Sequence, residues 1–346
     1  MPGLRFALPI AALLFAPAAF AQAPREMLDA AGRYVRVPAK VERVYAAGPP
    51  ASILVYAINP DKLLGWTRAL RADEAPFFPA RYAALPELGR LTGRGNTANV
   101  EVLLKARPDL VVDVGATAPT FASLADRVQQ QTGLPYLLLD GRFGAIPETL
   151  RALGHAMGDT ASAGRLADWC ERAIAEVAAR VAQVPADKRP RAYYGRGPHG
   201  LQTALGGSIN AEVMEFLGAK NVAGAMSGGL AVASMEQVLA WDPEVIFTND
   251  PHFYRAVWGD ARWRAIAAVR SKRVHLSPHL PFGWFDFPPG ANRIIGLYWA
   301  GKILYPELFR DDLRAKTTEF YRLFYHQEPG AAQLDALLGE PGVMPR

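Results

Sequence analysis

The chain has 346 residues, 50% hydrophobic and 21% charged, a composition that fits an ordinary globular protein with room for two domains. The net charge of +5 is mild and scattered, with no lysine- or arginine-rich run, so nucleic acid is not an expected partner. The lone cysteine, Cys170, excludes an intramolecular disulfide, and its apolar helical setting points to a buried thiol rather than a nucleophile.

In chain order, the first predicted element is an export signal. Arg5 supplies the positive start, Phe6 to Phe20 is apolar and alanine-rich, and Ala19-Phe20-Ala21 has the small-x-small cleavage pattern. Residues 1–21 are therefore expected to be removed after Ala21, which lowers the net charge by one. The apolar run is short for a membrane span, and no cysteine follows it to carry a lipid, so a soluble periplasmic protein is expected.

A first βα lobe is predicted over residues 22–160. Val41 to Ala47 reads as a strand that runs into a Gly48-Pro49-Pro50 turn and a helix from Ser52. Leu63 to Thr67, Asp109 to Val114 and Pro135 to Asp140 read as further strands, and the helical stretches between them imply parallel βαβ units. Residues 161–184 predict one long helix, with Leu166, Trp169, Cys170, Ala173, Ile174, Val177 and Val181 along one face and Pro185 closing it. It would span roughly 36 Å, enough to link two lobes.

A second βα lobe is expected over residues 185–305, with strands at Arg191–Tyr194, Val245–Thr248 and Val274–Leu276. Ser208 reads as the N-cap of a helix that ends at Gly218, and Pro288-Pro289 as the start of a helix running to about Leu304. Residues 306–346 read as a helical tail with Phe320, Leu323 and Phe324 on one face, expected to fray near its Gly- and Pro-containing end.

Two distant stretches repeat one pattern. Asn99-Val100-Glu101 and Ser234-Met235-Glu236 each begin a short helix; Leu104 and Leu239 follow three residues after the glutamate, and Pro108 and Pro243 seven after it, before an apolar strand. Such a recurring unit predicts two similar lobes, and two lobes imply a cleft for a small ligand. The fold class is therefore α/β: two βα lobes with parallel sheets, joined by one long helix, with the ligand cleft between them.

The order signal, lobe, long helix, lobe resembles the periplasmic binding proteins of ABC importers, in the subclass whose lobes share a single helical connector. The resemblance rests on Leu85-Pro86 with Gly89, Asn99-Val100-Glu101 leading to Pro108-Asp109-Leu110-Val111, Gly206 to Asn210, Gly218 with Asn221, and Ser234 to Pro243. It implies a permease dimer in the inner membrane as partner, docked through Glu101 and Glu236, and no catalytic role. It also implies an iron siderophore or haem as the solute, with cobalamin, a nickel chelate or an oxyanion such as molybdate as alternatives. A monomer is expected. Without the resemblance, each glutamate reads simply as a favourable charge at a helix start.

Ligand groups are expected in loops beyond the strands' carboxyl ends. The candidates are Trp66, Arg68 and Thr117 in the first lobe, with Arg196, His199, Asn249, His252, Tyr254, Trp284 and Phe285 in the second. This set suits a planar or anionic metal complex through stacking and charge-assisted hydrogen bonds. Trp66 and the Trp284 loop are expected to face one another across the cleft. Arg68, Arg196 and Arg142 would make it positive. No cofactor and no bare-metal site are expected, because all six histidines lie at His155 or later and the first lobe has none to offer. Neither a Gly-x-Ser-x-Gly elbow nor a His-Glu-x-x-His pair is present to support the alternative of an exported hydrolase.

Overall fold

The structure, a computed structural model, describes residues 23–92 and 99–339; the expected export signal lies outside the described residues. A hairpin that the sequence reading missed comes first: β1 (Arg25–Leu28) pairs antiparallel with β2 (Tyr34–Val37). β3 (Val44–Ala46) then leads into α1 (Pro49–Ile58), followed by the short α2 (Ala80–Ala83) and by α3 (Val100–Ala106). β4 (Leu110–Gly115), α4 (Pro119–Thr132), β5 (Tyr136–Asp140) and α5 (Ile146–Met157) complete the first lobe. Its sheet is parallel in the order β3-β4-β5. The uninterrupted apolar runs of β4 and β5 suit strands covered on both faces.

Two details differ from expectation. Pro49 and Pro50 are the first residues of α1 rather than a turn before it, because the N–H groups they lack would have no partner in a first helical turn. Leu63 to Thr67 forms no full strand; it meets the sheet only at the Val44–Leu63 bridge, and Trp66 bridges to Glu87.

The linker is α6 (Thr160–Val181), which buries Leu166, Trp169, Cys170, Ala173, Val177 and Val181 along one face as the periodicity requires. It touches both halves of the molecule. The Ser162 hydroxyl donates to Ile58 O of α1 at 2.8 Å, while Trp169 packs on Phe320 and Phe324 at 5.5 and 5.7 Å between ring centroids.

The second lobe contains β6 (Arg191–Gly195), β7 (Gln202–Ala204), α7 (Glu212–Phe216), β8 (Lys220–Asn221) and β9 (Leu230–Val232). α8 (Met235–Trp241), β10 (Val245–Thr248), α9 (Pro251–Ala256), α10 (Ala267–Arg270), β11 (Val274–Leu276) and α11 (Asn292–Leu304) follow. The parallel sheet runs β11-β10-β6-β8, and β7 and β9 pair separately as an antiparallel ribbon. Ser208 is not a helix cap: its N–H bonds to Leu205 O and its O accepts from Ala211 N, a turn that delays the helix to Glu212. Pro288-Pro289 likewise stays in a loop, and α11 starts at Asn292.

The tail is helical, as expected, and its Gly- and Pro-containing end past residue 339 lies outside the described residues. α12 (Leu313–Phe324) and α13 (Ala331–Leu338) are ordered helices, and Phe320, Tyr321, Phe324 and Tyr325 are buried in a core continuous with both lobes. The Tyr56 hydroxyl of α1 donates to Tyr325 O at 2.8 Å, and Tyr325 OH donates to Asn292 at 2.7 Å. Through these bonds the tail ties the first lobe to the second.

Candidate functional site

The carboxyl ends of both parallel sheets carry the loops between the lobes: 47–49, 115–118 and 141–143 from the first, 196–201, 249–250 and 277–291 from the second. Backbones approach closely at this floor. A Cβ built on Gly141 would lie 2.6 Å from Gly115 Cα, so that position needs glycine, while one on Gly48 would press on the Thr92 hydroxyl at 2.6 Å.

An ion pair between buried Arg293 and half-buried Glu212 of the second lobe reaches across the floor to the first. Arg293 donates to Glu212, and also to Gly141 O in the first lobe at 2.6 Å; Glu212 in turn accepts from Phe143 N at 2.9 Å. Burial pushes the Glu212 carboxyl up and the Arg293 guanidinium down, and their mutual attraction opposes both shifts. A second polar cluster lies behind the floor in the second lobe, where Asp286 sits 2.9 Å from Arg196 Nε and accepts from Tyr194 OH at 3.2 Å and from Asn210. Burial raises Asp286, and Arg196 opposes that rise.

Three expected ligand contacts are core residues instead. Trp66 donates from Nε1 to Tyr82 O at 2.8 Å, with its ring against Tyr56 and Phe78. Trp284 donates to Tyr321 OH at 3.2 Å, and α11 passes so close that a Cβ on Gly296 would fall 1.9 Å from Trp284 O. Phe285 lies between Tyr194 and Phe247, at 4.5 and 5.1 Å. A large aromatic in a glycine-rich loop does need a partner surface, and here the protein's own interior supplies it. The two loops do meet, as expected, but through Phe282, whose ring is 6.1 Å from Trp66 and 6.2 Å from Phe78.

The expected positive cleft is also corrected. Arg68 is committed to the buried Glu74 carboxylate by two bonds of 2.7 and 2.6 Å, and Arg196 to Asp286. Arg142 pairs with Asp140 yet stays exposed on the loop after β5. Thr117 is half-buried between β4 and α4, and Asn249 half-buried after β10.

His199 and His252 come together at a groove lined by second-lobe residues. They rim this groove of about 360 Å³, floored by Leu201, Met235, Phe253 and Trp263. His252 Nδ1 lies 3.2 Å from Pro198 O, and Tyr254 packs edge-on against Trp258 at 5.9 Å. Among the described residues no group of three or more His, Cys, Asp or Glu side chains is placed to hold a metal ion.

Sequence reasoning missed Phe287. It is 64% exposed at the closing end of a tight loop, where Gly283 N donates to Phe287 O at 2.7 Å. The same loop reaches the first lobe, where a Cβ on Gly290 would lie 3.6 Å from Ile53 of α1. The available signal was its place between buried loop aromatics and Pro288.

The duplicated units fold alike. Asn99 caps α3 by accepting from Val102 N at 3.0 Å, and Ser234 caps α8 by accepting from Gln237 N at 3.2 Å. Each helix ends on a left-handed residue, Arg107 or Asp242, immediately before the proline. Glu101 and Glu236 are both exposed. Because each helix leads back into a parallel strand, its first turn lies toward that strand's carboxyl end, the end that carries the cleft. The Glu236 carboxyl is held below the usual range by its own backbone N–H and the Ser234 hydroxyl.

Two parallel-sheet lobes, one long connecting helix and a floor of strand-end loops define a two-lobed solute-binding protein. The profile of the periplasmic binding protein family matches residues 70–279, and the chain belongs to that family. It is 29% identical to the molybdate-binding protein MolA of Haemophilus influenzae, over 91% of this chain and 95% of the relative. It is 26% identical to the vitamin B12-binding protein of Vibrio parahaemolyticus, over 68% of this chain and 80% of the relative. Among solved structures, an ABC transporter solute-binding protein from Sulfurospirillum deleyianum superposes with a TM-score of 0.82 at 29% identity, covering 90% of this chain and 98% of that one. The protein is thus the periplasmic binding component of an ABC importer. No helix among the described residues is long and apolar enough to cross a membrane.

Proposed function

We propose that the solute is a compact metal oxyanion of the molybdate kind, held between the loop after β5 and the loop that carries Phe287. The observation that carries this reading is the Arg142 guanidinium, which pairs with Asp140 through Nε and one terminal nitrogen yet stays exposed on its other edge, set on a loop that Arg293 and Glu212 fasten to the second lobe. A planar guanidinium matches an oxyanion bidentately. Whole-length likeness to a molybdate-binding protein supports the same class. Burial of Trp66, Trp284 and Phe285 removes the stacking platform on which the siderophore or haem expectation rested. A cobalamin or chelated-iron solute is the second reading, favoured by the exposed ring of Phe287.

The rest of the reading carries forward the expectations from the sequence and from membership of the binding-protein family. The protein is exported by a signal cleaved after Ala21, works as a monomer, and performs no catalysis. Glu101 and Glu236 meet arginines of a permease dimer, where charge pairing fixes orientation and speeds encounter.

Calorimetric titration with molybdate, tungstate, sulfate, a ferric hydroxamate and cobalamin tests the ligand. The expected result is saturable binding of molybdate and tungstate that weakens at least tenfold in Arg142→Ala. Binding of cobalamin or the ferric chelate with no response to molybdate would overturn the oxyanion reading.

A further inference from the structure

Seven large hydrophobic side chains are exposed among the described residues: Leu28, Tyr34, Leu104, Met226, Val232, Leu239 and Phe287. Leu104 and Leu239 occupy the same step of the duplicated unit, three residues after Glu101 and Glu236, and are 48% and 38% exposed. The neighbouring positions show what each helix needs for folding. Leu103 and Val238 are buried and attach α3 and α8 to their sheets, so Leu104 and Leu239 are not required for that packing. Residues three apart on a helix share one face, which puts each leucine beside its glutamate. The two lobes otherwise share little sequence, yet each exposes one carboxylate and one leucine in the same geometry.

We propose that Glu101 with Leu104, and Glu236 with Leu239, form two equivalent docking patches, each of which binds a basic side chain flanked by an apolar pocket on one half of the permease dimer. The proposal rests on the reading of Glu101 and Glu236 as docking residues and adds an apolar contact to the ionic one. A carboxylate alone gives steering and orientation but little net affinity in water, whereas a leucine closed off from solvent at the centre of a contact supplies salt-insensitive affinity. Duplication suits a two-fold partner, since the same basic-and-apolar feature on each permease half would meet one patch.

The test uses the full mature protein and its cognate permease with the bound ATPase, reconstituted in nanodiscs, with docking measured at low and at high salt. Leu104→Gln/Leu239→Gln is expected to weaken docking tenfold or more at both salt concentrations, with the melting temperature unchanged. Glu101→Gln/Glu236→Gln is expected to weaken docking strongly at low salt and to differ little from wild type at high salt. Should the leucine double variant melt early, Leu104→Met/Leu239→Met keeps the apolar contact and is expected to dock normally. If the glutamate variant loses docking while the leucine variant docks like wild type, the apolar contact is refuted and the ionic reading stands. If neither variant changes docking, both readings fall.

Discussion

Trp284 and Phe287 stand three residues apart in one loop and meet different surroundings. The first is enclosed by Tyr321 and α11, the second exposed to solvent. Trp284→Ala should therefore cost about 3–5 kcal/mol of stability, the range for emptying a large buried aromatic site, and leave solute affinity within twofold. Phe287→Ala should do the reverse, with an unchanged melting temperature and a weaker titration curve. Calorimetry and thermal melts on both variants separate the two roles. His275 gives a pH dependence with a definite sign. Burial first, and Arg273 second, depress its pKa from 6.5 to about 4, and its Nε2 finds no hydrogen-bond partner among the described residues. The unfolded chain takes up the proton near 6.5 and the folded chain only near 4, so stability is intact above 6.5 and is lost as pH falls through that window. Between pH 7 and 4.5 the loss from this one group should be roughly 2–3 kcal/mol, read by urea denaturation as the extra acid sensitivity of wild type over His275→Leu.

At the scale of elements, the twin helices α3 and α8 end alike but differ in what their last residue does. Arg107 and Asp242 both hold positive φ, 47° and 37°, where glycine is the unstrained choice. The Asp242 carboxylate also accepts from Ala267 N at 2.7 Å, joining α8 to the start of α10. Arg107→Gly is accordingly expected to stabilise the protein by roughly 0.5–1 kcal/mol. Asp242→Gly should gain nothing, because the lost hydrogen bond costs about 1 kcal/mol. Equilibrium unfolding of the two single variants shows whether the asymmetry holds. The repeated unit itself was legible because caps, a proline stop and an apolar strand are local signals. The hairpin β1–β2 was not, since four-residue strands with alternating burial leave little periodicity to read.

Across the whole molecule, Arg293 and Glu212 bind the first-lobe loop 141–143 to α7 and α11, with α6 and α12 crossing behind. Arg293→Met leaves the half-buried Glu212 charge with Phe143 N alone and should destabilise by about 3 kcal/mol, the low end for a broken buried pair; Arg293→Met/Glu212→Gln should recover most of that. Such a fastening also predicts small lobe rotation. Small-angle scattering should show nearly the same radius of gyration with and without bound solute, and a large compaction would mean that the fastening opens.

The sequence by itself determined the two-lobed α/β plan, the linker helix and the paired glutamate units, since helical period, apolar strand runs and turn residues act over a few positions. It also determined the family, through the order and spacing of those units. Only the tertiary structure decided which of these side chains are buried in the core. Trp66, Trp284 and Phe285 carry the same composition signal as a ligand-stacking set, and whether such a ring meets a solute or its own core depends on residues such as Tyr82, Tyr321 and Phe247 that are distant in sequence. Charge follows the same logic: Arg68 and Arg196 read as free cations until the fold brings Glu74 and Asp286 within hydrogen-bond reach and cancels them.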